Sequence, residues 1–309
     1  MYLIKISFDI RHCVLYGFVR NSYSILKRKQ MKKIESNIYL YKYYKKEVRT
    51  FLSHLDKVKN IPNEKSIHQI RVDIKRLRAV IHLFERLSAD KFNSKEYFNV
   101  FKSVYNSGGR IRETQVNINY LSRYKISPTL VKQYRNFANA NKEKLYKKFK
   151  KAVANFDIEL LKKSKTKIKK LCSKIDSKVI NDKCLIFINE ELKNTEQLLI
   201  AGDNNAIMHN IRIHLKSLNA IVSLYYKMNP DKKPKKALTV LKQNGTSIGN
   251  WHDKIELIKS LERFIVKSEE LKSRKLHTIV TLVNRLKKEN QSFFKVMEQK
   301  LKPIFKPVS

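Results

Sequence analysis

Two short stretches of this chain carry side chains that could hold an anion. His68 to Ala79 reads H-x-I-R-x-x-x-K-x-L-x-A, and His209 to Ala220 repeats the pattern at an offset of 141 residues. A second pair follows each stretch, Gly109-x-x-Arg112-Glu113 and Gly249-x-x-His252-Asp253, at an offset of 140. Two ordered matches at nearly one offset indicate an internal repeat. Arginine can fork onto two phosphate oxygens, lysine adds a point charge, and imidazole donates a hydrogen bond that strengthens on protonation. Asp73 is the acid within the first motif, and the second contains none.

Such residues act together only if one element lines them up. At about 100° per residue, with His68 at 0°, Arg71 falls near 300°, Lys75 near 340° and Arg78 near 280°. Ile70, Ile74, Leu77, Ile81 and Phe84 fall between about 160° and 240°. A cationic stripe therefore runs beside an apolar stripe. In the second copy His209, Arg212 and Lys216 form the stripe, with Ile211, Leu215, Leu218, Val222 and Tyr225 on the apolar face. Cations flanking a core-facing stripe sit where helices converge, and removing them from water is costly without a counter-charge. An exogenous polyanion fits that need. The plain alternatives are an Arg71 or Arg212 paired with a carboxylate on a neighbouring helix, a His68 or His209 bonded to a backbone carbonyl, and a solvated Arg76 near 80°.

The rest of the chain is built to supply helices. It has 309 residues with only 6 glycines and 6 prolines, against about 21 and 15 at average usage. So few turn-makers argue against sandwiches, barrels and Gly-rich nucleotide-binding sheets. Hydrophobic residues are 42%, enough for a core, and the net charge is +40. A charge that large invites nucleic acid, an anionic membrane surface or a phosphate polymer, but many lysines, such as those between Lys162 and Lys170, read as a solvated coat. No apolar run approaches the length of a membrane span, and the three cysteines, Cys13, Cys172 and Cys184, show no pairing pattern. The expectation is a cytoplasmic protein with reduced thiols.

Periodicity predicts helices over Met31–Lys59, Glu64–Leu87, Glu96–Tyr105, Arg112–Tyr124, Ser127–Phe156, Leu160–Ser173, Val179–Leu199, Ala206–Met228, Pro234–Gln243, Trp251–Ser268 and Leu271–Leu301. Here the Gly108–Gly109 pair ends a helix, so Arg112 and His252 are expected near helix starts, where free N–H groups also favour phosphate. Glu113 and Asp253 read as orienting groups, and Trp251 as packing. Residues 1–30 read as an N-terminal extension, with Met31 as the expected true start. Residues 31–155 and 156–309 read as the two repeat units.

At these residues the sequence resembles the CHAD family, the conserved histidine α-helical domain. The hallmark pattern H-x-x-R-V-x-x-[RK]-R-L-R is met by His68 to Arg78, and L-G-x-x-R-D-x-x-V is approached by Gly108 to Val116. His209 to Asn219 and Ile248-Gly249-Asn250-Trp251-His252-Asp253 form the second pair. The resemblance spans roughly residues 31–305. It implies an all-α fold of two antiparallel helical bundles related by a pseudo-twofold, with a basic central channel, and the binding of inorganic polyphosphate, often at polyphosphate granules. Carried over by position, the phosphate-binding residues are His68, Arg71, Lys75, Arg76, Arg78, Arg112, His209, Arg212, Lys216 and His252. Ser217 and Asn219 stand where the pattern prefers basic residues, Gly108 replaces Leu and Glu113 replaces Asp, so the second half-site is expected to be the weaker. No E-x-E-x-K strand motif of the CYTH domain fused to some members is found.

The first reading is therefore non-enzymatic polyphosphate binding, with no cofactor, no metal and no membrane partner. The alternative is a protein that binds RNA or other nucleic acid by its backbone; the cationic stripes lack the interleaved aromatics that base stacking uses. A third reading, a metal-dependent phosphohydrolase on His68, His209 and His252, lacks carboxylates at ligand spacing.

Overall fold

The computed structural model describes residues 35–88, 92–201, 205–230, 235–267 and 273–305. Residues 1–30, with the expected start at Met31 and Cys13, lie outside the described residues. The described residues form helices and no strand: α1 (Ser36–Asn60), α2 (Glu64–Leu87), α3 (Ser94–Leu121), α4 (Pro128–Asn139), α5 (Lys142–Ala154), α6 (Ile158–Cys172), α7 (Ser177–Ile200), α8 (Asn205–Met228), α9 (Lys235–Lys267) and α10 (Ser273–Phe305). The predicted all-α class is the class observed.

Local chemistry sets the motif helix α2. Pro62 precedes it, and Asn63 caps it: the Asn63 side chain accepts from the Ser66 N–H, while the Ser66 hydroxyl accepts from the Asn63 N–H, a reciprocal capping box. Ile67, Ile70, Ile74, Leu77, Ile81 and Phe84 are all fully buried, which fixes the helix's rotation and hence the direction of its cations. In α8 the same orientation comes from the buried Met208, Ile211, Leu215, Leu218, Val222 and Tyr225.

Three boundaries differ from the periodic reading. Gly108–Gly109 does not end a helix: α3 runs unbroken through it. Likewise α9 is continuous where Pro234–Gln243 and Trp251–Ser268 were expected as two helices. A mid-helix glycine costs about 1 kcal/mol relative to Ala, and no described glycine has a left-handed backbone. At Gly108 the reason is close packing, since a Cβ there would lie 3.1 Å from Phe149 and 3.4 Å from Ile67. Conversely, the expected single helix over Ser127–Phe156 is two, α4 and α5. Their apolar faces serve different clusters: Leu130 and Tyr134 of α4 pack with Leu257, Leu261 and Phe264, whereas Phe149 and Val153 of α5 join the main core. One straight helix could not do both.

The main core runs from Leu40 to Leu301 and takes residues from both predicted units, including Phe156 at their junction. Helix α6, beyond that junction, packs on α1 and α3. Helix pairs come in matched sets: α1 packs on α2 as α7 does on α8, α2 on α3 as α8 on α9, and α1, α2 and α3 touch α7, α8 and α9 respectively. Cys172 and Cys184 are free and buried, and burial pushes both thiols up to about 12. No described helix is long and apolar enough to cross a membrane.

Candidate functional site

The motif helices α2 and α8 pack against each other, so their flanking cations meet. Arg71 is held most firmly. Its Nη1 donates to the backbone carbonyl of Tyr105 on α3, and its guanidinium stands 4.1 Å from the Tyr105 ring centroid. Gly109 makes room for it, because a Cβ at that position would lie 2.7 Å from Arg71 Nη1. Tyr105, Gly109 and Arg112 share one face of α3 at helical spacing. Arg78 lies 5.1 Å from the Phe98 ring and 5.7 Å from the Tyr105 ring, at the edge of the group. Arg112 Nη1 lies 3.5 Å from Gln115 Oε1.

The ammonium groups of Lys75 and Lys216 belong to the same two helices. Lys216 and Lys75 are open to solvent, yet surrounding protein strips them of water. Burial is the largest cause of their lowered pKa values. For Lys216 the neighbouring charges of Arg212 and Lys75 add to it, bringing it down to about 7, with Asp253 opposing. For Lys75 the added charges are Arg71 and Arg212, again opposed by Asp253. A group that is both exposed and desolvated stands in a recess. His68 is also held below its ordinary value, by burial and then by Arg112, Lys75 and Arg71. His209 is lowered by burial, then by His252, Arg212 and Lys216. The His209 and His252 rings stand 5.8 Å apart, centroid to centroid.

The structure thus brings together His68, Arg71, Lys75, Arg112, His209, Arg212, Lys216 and His252 as one electrostatic group, with Arg78 beside it. It does not bring Arg76 in: Arg76 turns the other way, 3.9 Å from Glu47 and 4.0 Å from Asp73. One expectation is corrected. Arg112 and His252 lie in the interiors of α3 and α9, not near helix starts, so their backbone N–H groups are already spent inside the helix and add nothing to an anion site. Glu113 does not face the cluster but lies 3.6 Å from Arg263.

Two residues were not legible as part of this group, Tyr105 and Glu256. Tyr105 holds Arg71, and Glu256 joins the motif's own Asp253 in raising the pKa of Arg212 against burial, the larger effect, which lowers it. The signal for Tyr105 was present in its seven-residue spacing from Arg112, but it is readable only if α3 is taken as continuous. Within the group, Arg212 Nε and His252 Nδ1 are buried without a hydrogen-bond partner, and Asp253 Oδ1, 3.6 Å from His252 Nδ1, is too far to serve as one. Among the described residues no cluster of three or more His, Cys, Asp or Glu is disposed to hold a metal ion.

A helical protein whose paired central helices converge a set of under-neutralised cations is the class that fold and site define. The CHAD domain family model matches residues 42–262, well over half the chain and somewhat less than the span of the motif resemblance, and the chain belongs to that family. Solved structures similar to it include the CHAD domain from the plant Ricinus communis, at 12% identity over 87% of this chain and 92% of that one, with a TM-score of 0.68. PptA from Streptomyces chartreusis is similar at 13% identity over 87% of this chain and 100% of that one, with a TM-score of 0.55. At such identities the likeness is one of fold. No curated protein matches the chain.

Proposed function

We propose that this protein binds inorganic polyphosphate, without transforming it, in a basic channel between the two motif helices. The observation that carries the reading is the crowding of Lys75, Lys216, Arg212 and Arg71 between α2 and α8: burial first, and then the neighbouring guanidiniums, hold both ammonium groups below their ordinary values, and none of the four has a carboxylate within ion-pair distance among the described residues. Desolvated cations left unpaired cost stability, and a linear polyanion lying along the helices would compensate several of them at once. The matched helix pairs support the view of two related units that face one anion from both sides. Site residues under this reading are His68, Arg71, Lys75, Arg78, Arg112, His209, Arg212, Lys216 and His252. Association with polyphosphate granules follows from the same reading.

Against nucleic acid, the aromatic rings beside these cations, Tyr105 and Phe98, already carry Arg71 and Arg78 over them, and these guanidiniums compete with a base for stacking. The test is a competition titration of the purified chain, with labelled single-stranded RNA displaced by polyphosphate of matched total charge. Displacement at far lower polyphosphate than RNA supports the proposal. Equal displacement overturns it in favour of generic backbone binding.

A further inference from the structure

Lys216 combines two properties that lysine side chains seldom share. It is open to solvent, so a small molecule can reach its amine. It also stands among cations: Arg212 lies one turn before it on α8, and Lys75 and Arg71 act on it from α2, with Asp253 of α9 opposing. Glu191 of α7, which also packs on α8, is engaged by His214 at 2.9 Å. Lys162, exposed on α6, shows the ordinary case, its ammonium 2.7 Å from Glu159.

The consequence is chemical. An ammonium has no lone pair with which to attack a carbonyl, whereas a neutral amine does. Burial first, and then the Arg212 and Lys75 charges, bring Lys216 down to about 7. At neutral pH roughly half of its amine is then unprotonated, against about one in three thousand for an ordinary lysine. The cations that disfavour its proton also attract a phosphorylated small molecule through its phosphoryl oxygens. In an acyl phosphate the carbonyl carbon is one bridging oxygen away from phosphorus. A phosphoryl group drawn to this cation group therefore carries its acyl carbon toward the amine.

We propose that Lys216 is a site of acylation by small acyl phosphates, and that its modification weakens the anion site. The Nζ lone pair forms the new carbon–nitrogen bond. The bond from the acyl carbon to the bridging oxygen breaks, its electron pair goes to the phosphate, and the proton lost by nitrogen leaves with it as hydrogen phosphate. The amide that remains carries no charge, so acylation removes one of the four crowded cations. The inference rests on the anion-binding reading above and adds its regulation: a phosphate chain lying over Lys216 shields it, and an acylated Lys216 holds the chain less well.

The test treats the full wild-type chain with acetyl phosphate and follows the acetylation of each lysine by peptide mass spectrometry. Lys216 is expected to react about tenfold or more faster than Lys163 and Lys170, and long-chain polyphosphate is expected to slow it. Rates within about twofold of one another at the three lysines overturn the proposal. A neutral acetyl ester run in parallel should favour Lys216 less than acetyl phosphate does, and an equal preference overturns delivery through the phosphoryl group. Calorimetric titration of the untreated chain with polyphosphate separates the two readings. Binding without selective acetylation overturns the acylation site alone, whereas selective acetylation without binding overturns the parent reading. The regulation is read from Lys216→Gln, which carries a neutral amide, against Lys216→Arg, which keeps a charge; both residues are good helix formers at an exposed position, so the fold is retained. Gln is expected to weaken polyphosphate by about tenfold and Arg by no more than about twofold. Equal affinities in the two variants overturn the regulatory role.

Discussion

The Arg71 guanidinium lies over the Tyr105 ring, 4.1 Å from its centroid, and donates to the carbonyl of that same residue. One residue of α3 thus holds the first motif's arginine through both its ring and its backbone. The glycine four residues on, Gly109, leaves the gap that lets it do so.

Gly109→Ala should therefore separate binding from stability. The new Cβ would displace the far end of a flexible side chain. The lost hydrogen bond costs about 1 kcal/mol, and the helix gains about the same from Ala over Gly. The expected result is an unchanged Tm within a few degrees and weaker polyphosphate binding. A large fall in Tm with unchanged binding would show that Gly109 serves packing alone.

The pH dependence centres on Lys216. Its folded value of about 7 lies below its ordinary value of 10.5, so between these two the unfolded chain holds more protons than the folded one. Stability of the free protein should therefore rise with pH from about 7 to about 10, and on lowering the pH it should fall over that same range and level off below about 7. A bound polyanion favours the charged amine, so binding takes up a proton and should weaken as pH rises from 7 to 9. Lys216→Met should flatten both profiles over that range, as followed by Tm and by titration. His68 and His209 are held low, so their contribution should appear only below about pH 6.5. Affinity that stays flat from pH 7 to 9 in the wild type would remove Lys216 from the site.

Charge reversal distinguishes the site from the coat. Arg71→Glu with Arg212→Glu should abolish measurable binding. Reversal of Lys163 and Lys170, both exposed on α6, should cost little beyond the general field. Binding by the wild type should also fall steeply with added salt as counterion release is suppressed. Equal losses from the two double variants would mean that only bulk charge matters.

On the side of α2 to which Arg76 turns, Asp73 is fully buried and is paired with His54 of α1 at 2.5 Å, with Gln69 Nε2 donating to its other oxygen at 3.2 Å. Asp73→Ala leaves these donors without an acceptor and should cost about 3 kcal/mol in urea unfolding. A loss below about 1 kcal/mol would show that the pair contributes no more than a surface ion pair.

The sequence alone determined which residues would form helices and which faces would be apolar, because the rotation of α2 and α8 follows from where Ile70, Ile74, Leu77 and Ile211, Leu215, Leu218 must go. It also named the group of cations, since those lie at a fixed angle from the buried stripe. The tertiary structure decided what periodicity cannot encode. Gly108–Gly109 reads as a helix end in one dimension, but is a close approach between α3, Phe149 and Arg71 in three. Arg76 and Arg112 are one residue type in the sequence, yet one turns to Glu47 and Asp73 while the other faces the motif helices. The lowered pKa of Lys216 arises from burial and from groups far apart along the chain, and only their packing together creates it.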